Sequence, residues 1–514
     1  MLGADGDAWH HPPVKTLYRA RRVHTLGHPA SGEWVLVDDR HVQLIGEGDP
    51  PRADRTVELP GATIVPGLID AHVHLTSTGA AVADEDVRGA SSAADILRVV
   101  EERAAHQDGP IALQGFDEST WADPALPTLA ELDAIERPVV VRRTDGHVAL
   151  VSTAALHDAG AKDADGVERG PDGAPTGVVR WEANRIVGAW VAATRSNHRI
   201  EELQLIGAGV AAQRGVTAIH EMALPEESGM RDVEVLLGHR ARLPVDVDVV
   251  LGTMDVPAAV ALGLPSIGGD LPADGSIGAL TAAVTDPYED AGGVGQLAYD
   301  HETLRAFFRD AHEAGLQAGV HALGDRAIEQ VIAAWESIAR TLDSRERRHL
   351  RARRHRIEHF ELPTRAQIER AAMLGMAVSA QPTFDLTWGH EGGLYEQRLG
   401  GRAWGMNPFR TLTQRGLLVG VGSDAPVVPM DPWLSVHALE HHHDPMERMP
   451  RLEALRLHTA GSARLAHRED KQGMLEPVMH ADLAAYDADP LAVDDVRGLR
   501  PILTISLGRE VWLA

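Results

Sequence analysis

The sequence predicts an α/β chain: a (β/α)8 barrel of the TIM type, with a composite β-sandwich from both termini and an inserted cap after strand 1. Three observations predict it. The middle of the chain alternates short apolar β-type runs with helical stretches, as βαβ units on a parallel sheet do. Eight such runs can be placed, the number that closes a barrel. Both chain ends instead carry short alternating runs broken by Gly and Pro, the pattern of an antiparallel sheet.

Taken in order, WVLVDD (34–39), HVQLIGEG (41–48) and TVELPGATIVPG (56–67) read as terminal strands, and DLAAYDAD (482–489), ILTISLGRE (502–510) and the final VWLA match them. Residues 1–66 and 470–514 therefore form one composite domain. The barrel occupies 67–469, with strands at 67–75, 215–222, 245–252, weakly at 268–275, then 316–324, 353–360, 376–384 and 417–426. About 140 residues separate the first two strands, far more than a βα connection needs. That stretch has strands at 110–117 and 137–150 and helices at 92–106 and 181–195, so 80–210 is expected to be an insertion. Barrel sites lie at the carboxyl ends of the strands, which puts the insertion over the site as a cap. The histidine clusters HHPP (10–13) and HHH (441–443) are short, and the second reads as a solvated stretch.

Composition narrows the function. The 514 residues carry 49 basic and 75 acidic side chains, a formal charge of −26, which argues against nucleic acid or an anionic membrane as partner. No apolar run approaches the length of a membrane span and no secretory leader is visible, so a cytoplasmic chain is expected. A homo-oligomer is compatible with all of this. Forty-four per cent apolar residues suffice for a large core. With no cysteine, a metal must be held by histidine and carboxylate, and there are 27 histidines.

His72 and His74 end the first barrel run two residues apart, a spacing that points both to one face of a strand. His220, His321, His359 and Asp424 repeat the pattern of a polar residue closing an apolar run. Singly each is an ordinary rim residue; at successive strand ends of one barrel they read as a ligand set for a divalent metal, with zinc expected. Such a metal lowers the pKa of its water toward ~7. A carboxylate can then carry the proton to a leaving nitrogen, and Asp424 in GVGSDAP is the candidate. Arg356 and Glu358 alternate with His359 along their strand and are expected to be structural.

VPGLIDAHVHL (65–75), GVHALGDRAI around His321, HRIEHF around His359 and GSDAPVVPMDP around Asp424 resemble the amidohydrolase superfamily. GFDESTW (115–121), RTDGHVAL (143–150), PTGVVRWEA (175–183) and ADGSIGALTAAVTDPY (273–288) look like its amidohydrolase-3 branch, whose best-known activity type is N-substituted formamide deformylase. The resemblance implies one or two divalent metals and hydrolysis of a bond to carbon, usually C–N, in a small-molecule substrate. By the same resemblance His147 faces substrate from the cap, and Asp117 and Trp121 line the pocket or pack the cap.

One departure bears on metal count. Many members of that superfamily bridge two metals with a carboxylated lysine on the fourth strand. The only lysines here are Lys15, Lys162 and Lys471, and none falls on a barrel strand. A single metal held by His72, His74, Asp424 and one further histidine is therefore expected; a second metal needs another bridging carboxylate, from Asp270, Glu182 or Glu221. The leading function is a metal-dependent hydrolase of a non-peptide, amide-like C–N bond. A ring deaminase on the same barrel and a metal-free scaffold are the alternatives.

Overall fold

The computed structural model describes residues 14–83, 86–106 and 109–514; HHPP at 10–13 and the first residues of the terminal domain lie outside them. Eight parallel strands form one sheet in sequential order. They are β1 (Leu68–Val73), β2 (Val216–Ala223), β3 (Asp246–Leu251), β4 (Ser266–Ile267), β5 (Gln317–Ala322), β6 (Arg356–His359), β7 (Ala377–Ala380) and β8 (Leu418–Val421). Its two edges meet at the Val73–Ala425 bridge, which closes the barrel. β1, β2 and β5 to β7 are buried at every residue, as expected where helices cover the outer face. Helices His301–Glu313 and Asp325–Thr341 supply part of that cover, with Phe308 stacked on Trp335 at 4.6 Å.

β4 is shorter and earlier than the 268–275 expected. Gly268 and Gly269 have φ of +85° and +53°, and a Cβ on Gly268 would stand 2.0 Å from the Gly319 carbonyl oxygen. Only glycine lets the chain turn off the sheet there. The turn carries Asp270 to the barrel rim.

The two chain ends meet in one seven-stranded sheet, where Leu483–Tyr486 pairs antiparallel with Arg55–Pro66 and Lys15–His24 lies on that strand's other side. A register shift between Arg19 and Val23 bends the sheet, and Tyr18, Val35, Ile64, Leu483 and Ile505 pack into one apolar cluster.

The insertion after β1 has its own five-stranded sheet and its own apolar clusters. It ends earlier than residue 210. Helix Asn197–Gln213 buries Ala208, Ala211 and Ala212 in the barrel core, and its Leu203 carbonyl approaches Gly79 so closely that a Cβ there would sit 1.8 Å away. That helix is the one that leads into β2. Among the described residues, no helix is long and apolar enough to cross a membrane.

Candidate metal centre

β1 and β8 are knitted together at the rim. Asp70, buried in the apolar run of β1, accepts from the Ser423 amide at 2.8 Å; the Asp424 amide donates to the His72 carbonyl at 2.8 Å, and the His74 amide to the Ala425 carbonyl at 2.9 Å. Asp424 has φ +59° and His359 has φ +70°, so both sit on left-handed backbone that non-glycine residues rarely adopt. Such strained positions cluster at functional sites.

Four imidazoles and two carboxylates converge there. Asp424 Oδ1 lies 3.4 Å from His72 Nε2 and 3.1 Å from His74 Nε2. Asp270 reaches His72 (3.6 Å), His74 (3.4 Å), His321 (3.1 Å) and His359 (3.1 Å). Two overlapping triads result, His72–His74–Asp424 and His72–Asp270–His359. On three of the rings the other nitrogen has a partner of its own. His72 Nδ1 meets Glu358 Oε2 at 3.0 Å, and His74 Nδ1–H donates to the Met222 carbonyl at 3.0 Å. His321 Nε2–H points at the Gly275 carbonyl, 3.4 Å away. A carbonyl can only accept, so His74 Nδ1 and His321 Nε2 carry hydrogen, and it is the opposite nitrogen of each ring that faces the carboxylates. This is how metal-binding histidines are oriented, and the oxygen and nitrogen donors fit a divalent ion.

The electrostatics agree with that fit. Burial opposes charge on His72, but Asp424 and Asp270 outweigh it and push its pKa up to about 10. The same balance lifts His74 well above the usual imidazole range and His321 to about 9. Burial would raise Asp270 and Asp424, yet the imidazoles hold both far below the usual carboxylate range. Two buried anions so placed attract a cation strongly.

Other expected residues are placed differently. His220 lies below the rim, its Nδ1 3.2 Å from Arg356, and burial followed by that guanidinium keeps it well below its ordinary pKa; it does not join either triad. Glu221 Oε2 accepts from the Leu75 amide at 2.6 Å and, pushed up to about 8 by burial, serves the start of helix Leu75–Val82 rather than bridging. Glu182 stands half-exposed on an insertion helix, 3.9 Å from Arg185, away from the centre. Glu358 is no bystander. His359 leaves the strand with positive φ, which breaks the alternation on which opposite faces were expected, so Glu358 and Arg356 point into the barrel behind His72. The HHH run is not solvated throughout: His442 is buried and His443 Nδ1 meets Asp385 at 2.5 Å.

The cap contributes an arginine that the sequence did not single out. Arg143, 3% exposed, binds Asp145 at 2.7 Å, Glu118 at 2.9 Å and Asp117 at 3.0 Å. This cluster fixes the turn that carries His147, whose ring lies 5.4 Å from that of His321. His147 lines the central cavity together with His74, Asp270 and Asp424. Asp117 and Trp121 do not line it. Asp117 holds Arg143 and the Trp388 indole, and Trp121 packs against Phe116 inside the cap.

A family model described as the amidohydrolase family matches residues 55–512. YtcJ of Bacillus subtilis, named as an amidohydrolase, is 28% identical over 480 residues, covering 85% of this chain and 86% of that protein. The N-substituted formamide deformylase of Arthrobacter pascens is 23% identical over 513 residues, covering 91% and 93%. An uncharacterized metal-dependent hydrolase from Pyrococcus horikoshii superposes with a TM-score of 0.74 at 22% identity, over 93% of this chain and 98% of that one.

Proposed function

The chain belongs to the amidohydrolase family, and on that premise we propose that it is a metal-dependent hydrolase cleaving a non-peptide, amide-like C–N bond in a small molecule. The observation that carries this is the convergence of four imidazoles and two carboxylates at the barrel rim, with the other nitrogen of three rings held by Glu358, Met222 and Gly275. His72, His74 and Asp424, with His321 or His359, would hold one divalent ion, and zinc suits that donor set. Asp270, in reach of all four imidazoles, is the carboxylate placed to join a second ion. A divalent ion supplies Lewis acidity and makes water a better nucleophile at neutral pH.

The chain's own residues do the rest. Asp424, held anionic by its imidazole neighbours, would accept the proton of the attacking water on the carboxylate oxygen not engaged by the ion and deliver it to the leaving nitrogen. His147, kept neutral by burial, faces the substrate from the cap. Arg143 spends its charge on three carboxylates and so positions that cap turn without presenting a free cation to the cavity.

The test compares chelator-stripped and zinc-reloaded protein on a panel of amides and aminated heterocycles, with released amine or ammonia quantified. Metal-dependent cleavage of amides supports the reading. Ammonia released only from ring substrates would establish the deaminase instead, and turnover by stripped protein would overturn the role given to the metal.

A further inference from the structure

The cavity that opens onto His74, Asp270 and Asp424 is also lined by arginines of the insertion, Arg88, Arg142, Arg143 and Arg195. Arg143 is spent on its three carboxylates. Arg88 and Arg142 are held by one piece of the cap sheet. Strands Ile111–Phe116 and Val139–Arg143 run parallel with Gln114 and Arg142 in register, so those two side chains share a face, and both line the cavity. The register shifts at the next residue, Gly115, whose φ is +103°. Arg88 crosses there: a Cβ on Gly115 would stand 2.8 Å from its Cγ. Two guanidinium side chains therefore lie over adjacent residues of one strand.

Neither is saturated. Arg142 Nη2 meets Glu227 Oε2 at 3.0 Å, while its Nε is buried without a partner and its Nη1 has none among the described residues. Arg88 meets Asp86 through Nε alone, at 3.4 Å, which leaves both its Nη groups without a partner among the described residues. As a strut between cap and barrel the Arg142–Glu227 pair is weak, because both side chains are partly open, 23% and 31%, and such pairs contribute little. A guanidinium offers five donors in a planar fork that matches the two oxygens of a carboxylate. Unused donors of this kind, on the wall of the cavity that holds the metal centre, suit an anionic group on the ligand.

We propose that this wall is a carboxylate subsite: the cavity takes amides whose end remote from the scissile bond carries a carboxylate, received by Arg142 with Arg88 beside it. That the molecule so held is an amide rests on the hydrolase reading; the preference for a carboxylate does not. Glu227 is the built-in competitor. It occupies one Nη of Arg142 in the free chain, and the arriving carboxylate takes the open Nη or displaces Glu227 toward the solvent it already meets. Removing the charge of Arg142 should therefore weaken carboxylate binding, and removing that of Glu227 should tighten it.

Calorimetric titration of the zinc-loaded full chain with hydroxamates tests this, because the hydroxamate group binds the metal and leaves the tail to report on the wall. The monohydroxamates of succinic, glutaric and adipic acid are compared with the same chains ended in a carboxamide or an ammonium group. At the length that spans the cavity the carboxylate should bind at least about tenfold tighter than the carboxamide, as charge-assisted hydrogen bonds exceed neutral ones. Arg142→Gln should abolish that preference with circular dichroism and zinc content unchanged, and Glu227→Gln should increase it. A purely structural strut would not give opposite signs, since either substitution breaks the same bridge. The native series and Glu227→Gln decide the matter even if Arg142→Gln does not fold. Equal affinity of carboxylate and carboxamide at every length, a preference for the ammonium tail, or a carboxylate preference undiminished in Arg142→Gln overturns the subsite and leaves the hydrolase reading standing. Failure of every hydroxamate to bind removes that reading, and the subsite with it.

Discussion

Glu358 offers the sharpest quantitative test of how the centre is held. Its Oε2 meets His72 Nδ1 at 3.0 Å, and Arg356 clamps the same carboxylate through Nε at 2.8 Å and Nη2 at 3.0 Å. Arg356 and its surrounding imidazole hold Glu358 down, to about 2, against the opposing effect of burial. Glu358→Gln keeps the shape and one acceptor oxygen but removes the charge. A hydrogen bond to a charged group contributes about 1.5–3 kcal/mol, against about 1 kcal/mol for a neutral one. The loss at His72 is then about 1–2 kcal/mol, or roughly 5- to 30-fold in metal affinity at 1.4 kcal/mol per decade. That agrees with the ~10- to 100-fold usual for losing an outer partner of a metal-binding histidine. The same substitution leaves Arg356, 2% exposed, without its counter-charge, which costs about 3–5 kcal/mol when one partner of a buried pair is removed. Competition against a chromophoric chelator reads the first effect, and thermal unfolding of the stripped chain reads the second. A folded Gln variant with native metal affinity would refute the positioning role of Glu358.

Two further substitutions probe other parts of the account. Asp424→Asn keeps the side-chain shape but removes the basic oxygen, so turnover of any cleaved amide should fall by roughly 10²-fold or more, with thermal stability little changed; near-native turnover would exclude the proton-carrying role. In the terminal sheet, Asp482 is buried, accepts from the Leu507 amide at 2.7 Å, and is pushed by burial up to about 7. Its protonated form is the one the fold accommodates: stability is undiminished below pH ~4, where folded and unfolded chains are both protonated, and drains away as pH rises toward 7 and the unfolded chain ionises first. Asp482→Asn should therefore match the native unfolding free energy at pH 4 and exceed it at pH 8, by up to about 4 kcal/mol. An equal difference at both pH values would show that burial of the charge is not the cause.

The barrel strands were legible because a parallel sheet covered on both faces writes itself as short continuous apolar runs, and seven of the eight fall within a few residues of expectation. β4 was not, because its position depends on Gly268 and Gly269 adopting positive φ under the Gly319 carbonyl, a contact that no local pattern encodes. The gathering of His72, His74, His321, His359 and Asp424 at one rim followed from their strand-end positions. Asp270 could be named only as one of three carboxylates, since the sequence does not say which of them the chain turns inward. Glu358 was misplaced because strict alternation assumes that the strand continues through His359, and the backbone there is left-handed. Asp70 left a signal that went unread: a carboxylate inside an apolar run must have a buried partner, and here it is the Ser423 amide. Asp117 and Trp121 carried no signal that separates lining a pocket from packing behind it.

The central claim is that the strand-end cluster holds a divalent metal. Elemental analysis of the dialysed native chain and of the His72→Ala, His74→Ala double variant tests it most directly. Removing two of the inward-facing nitrogen donors should take zinc from about one equivalent per chain to a small fraction of that, with the circular dichroism of the barrel retained. A double variant that keeps its full complement of metal would contradict the account.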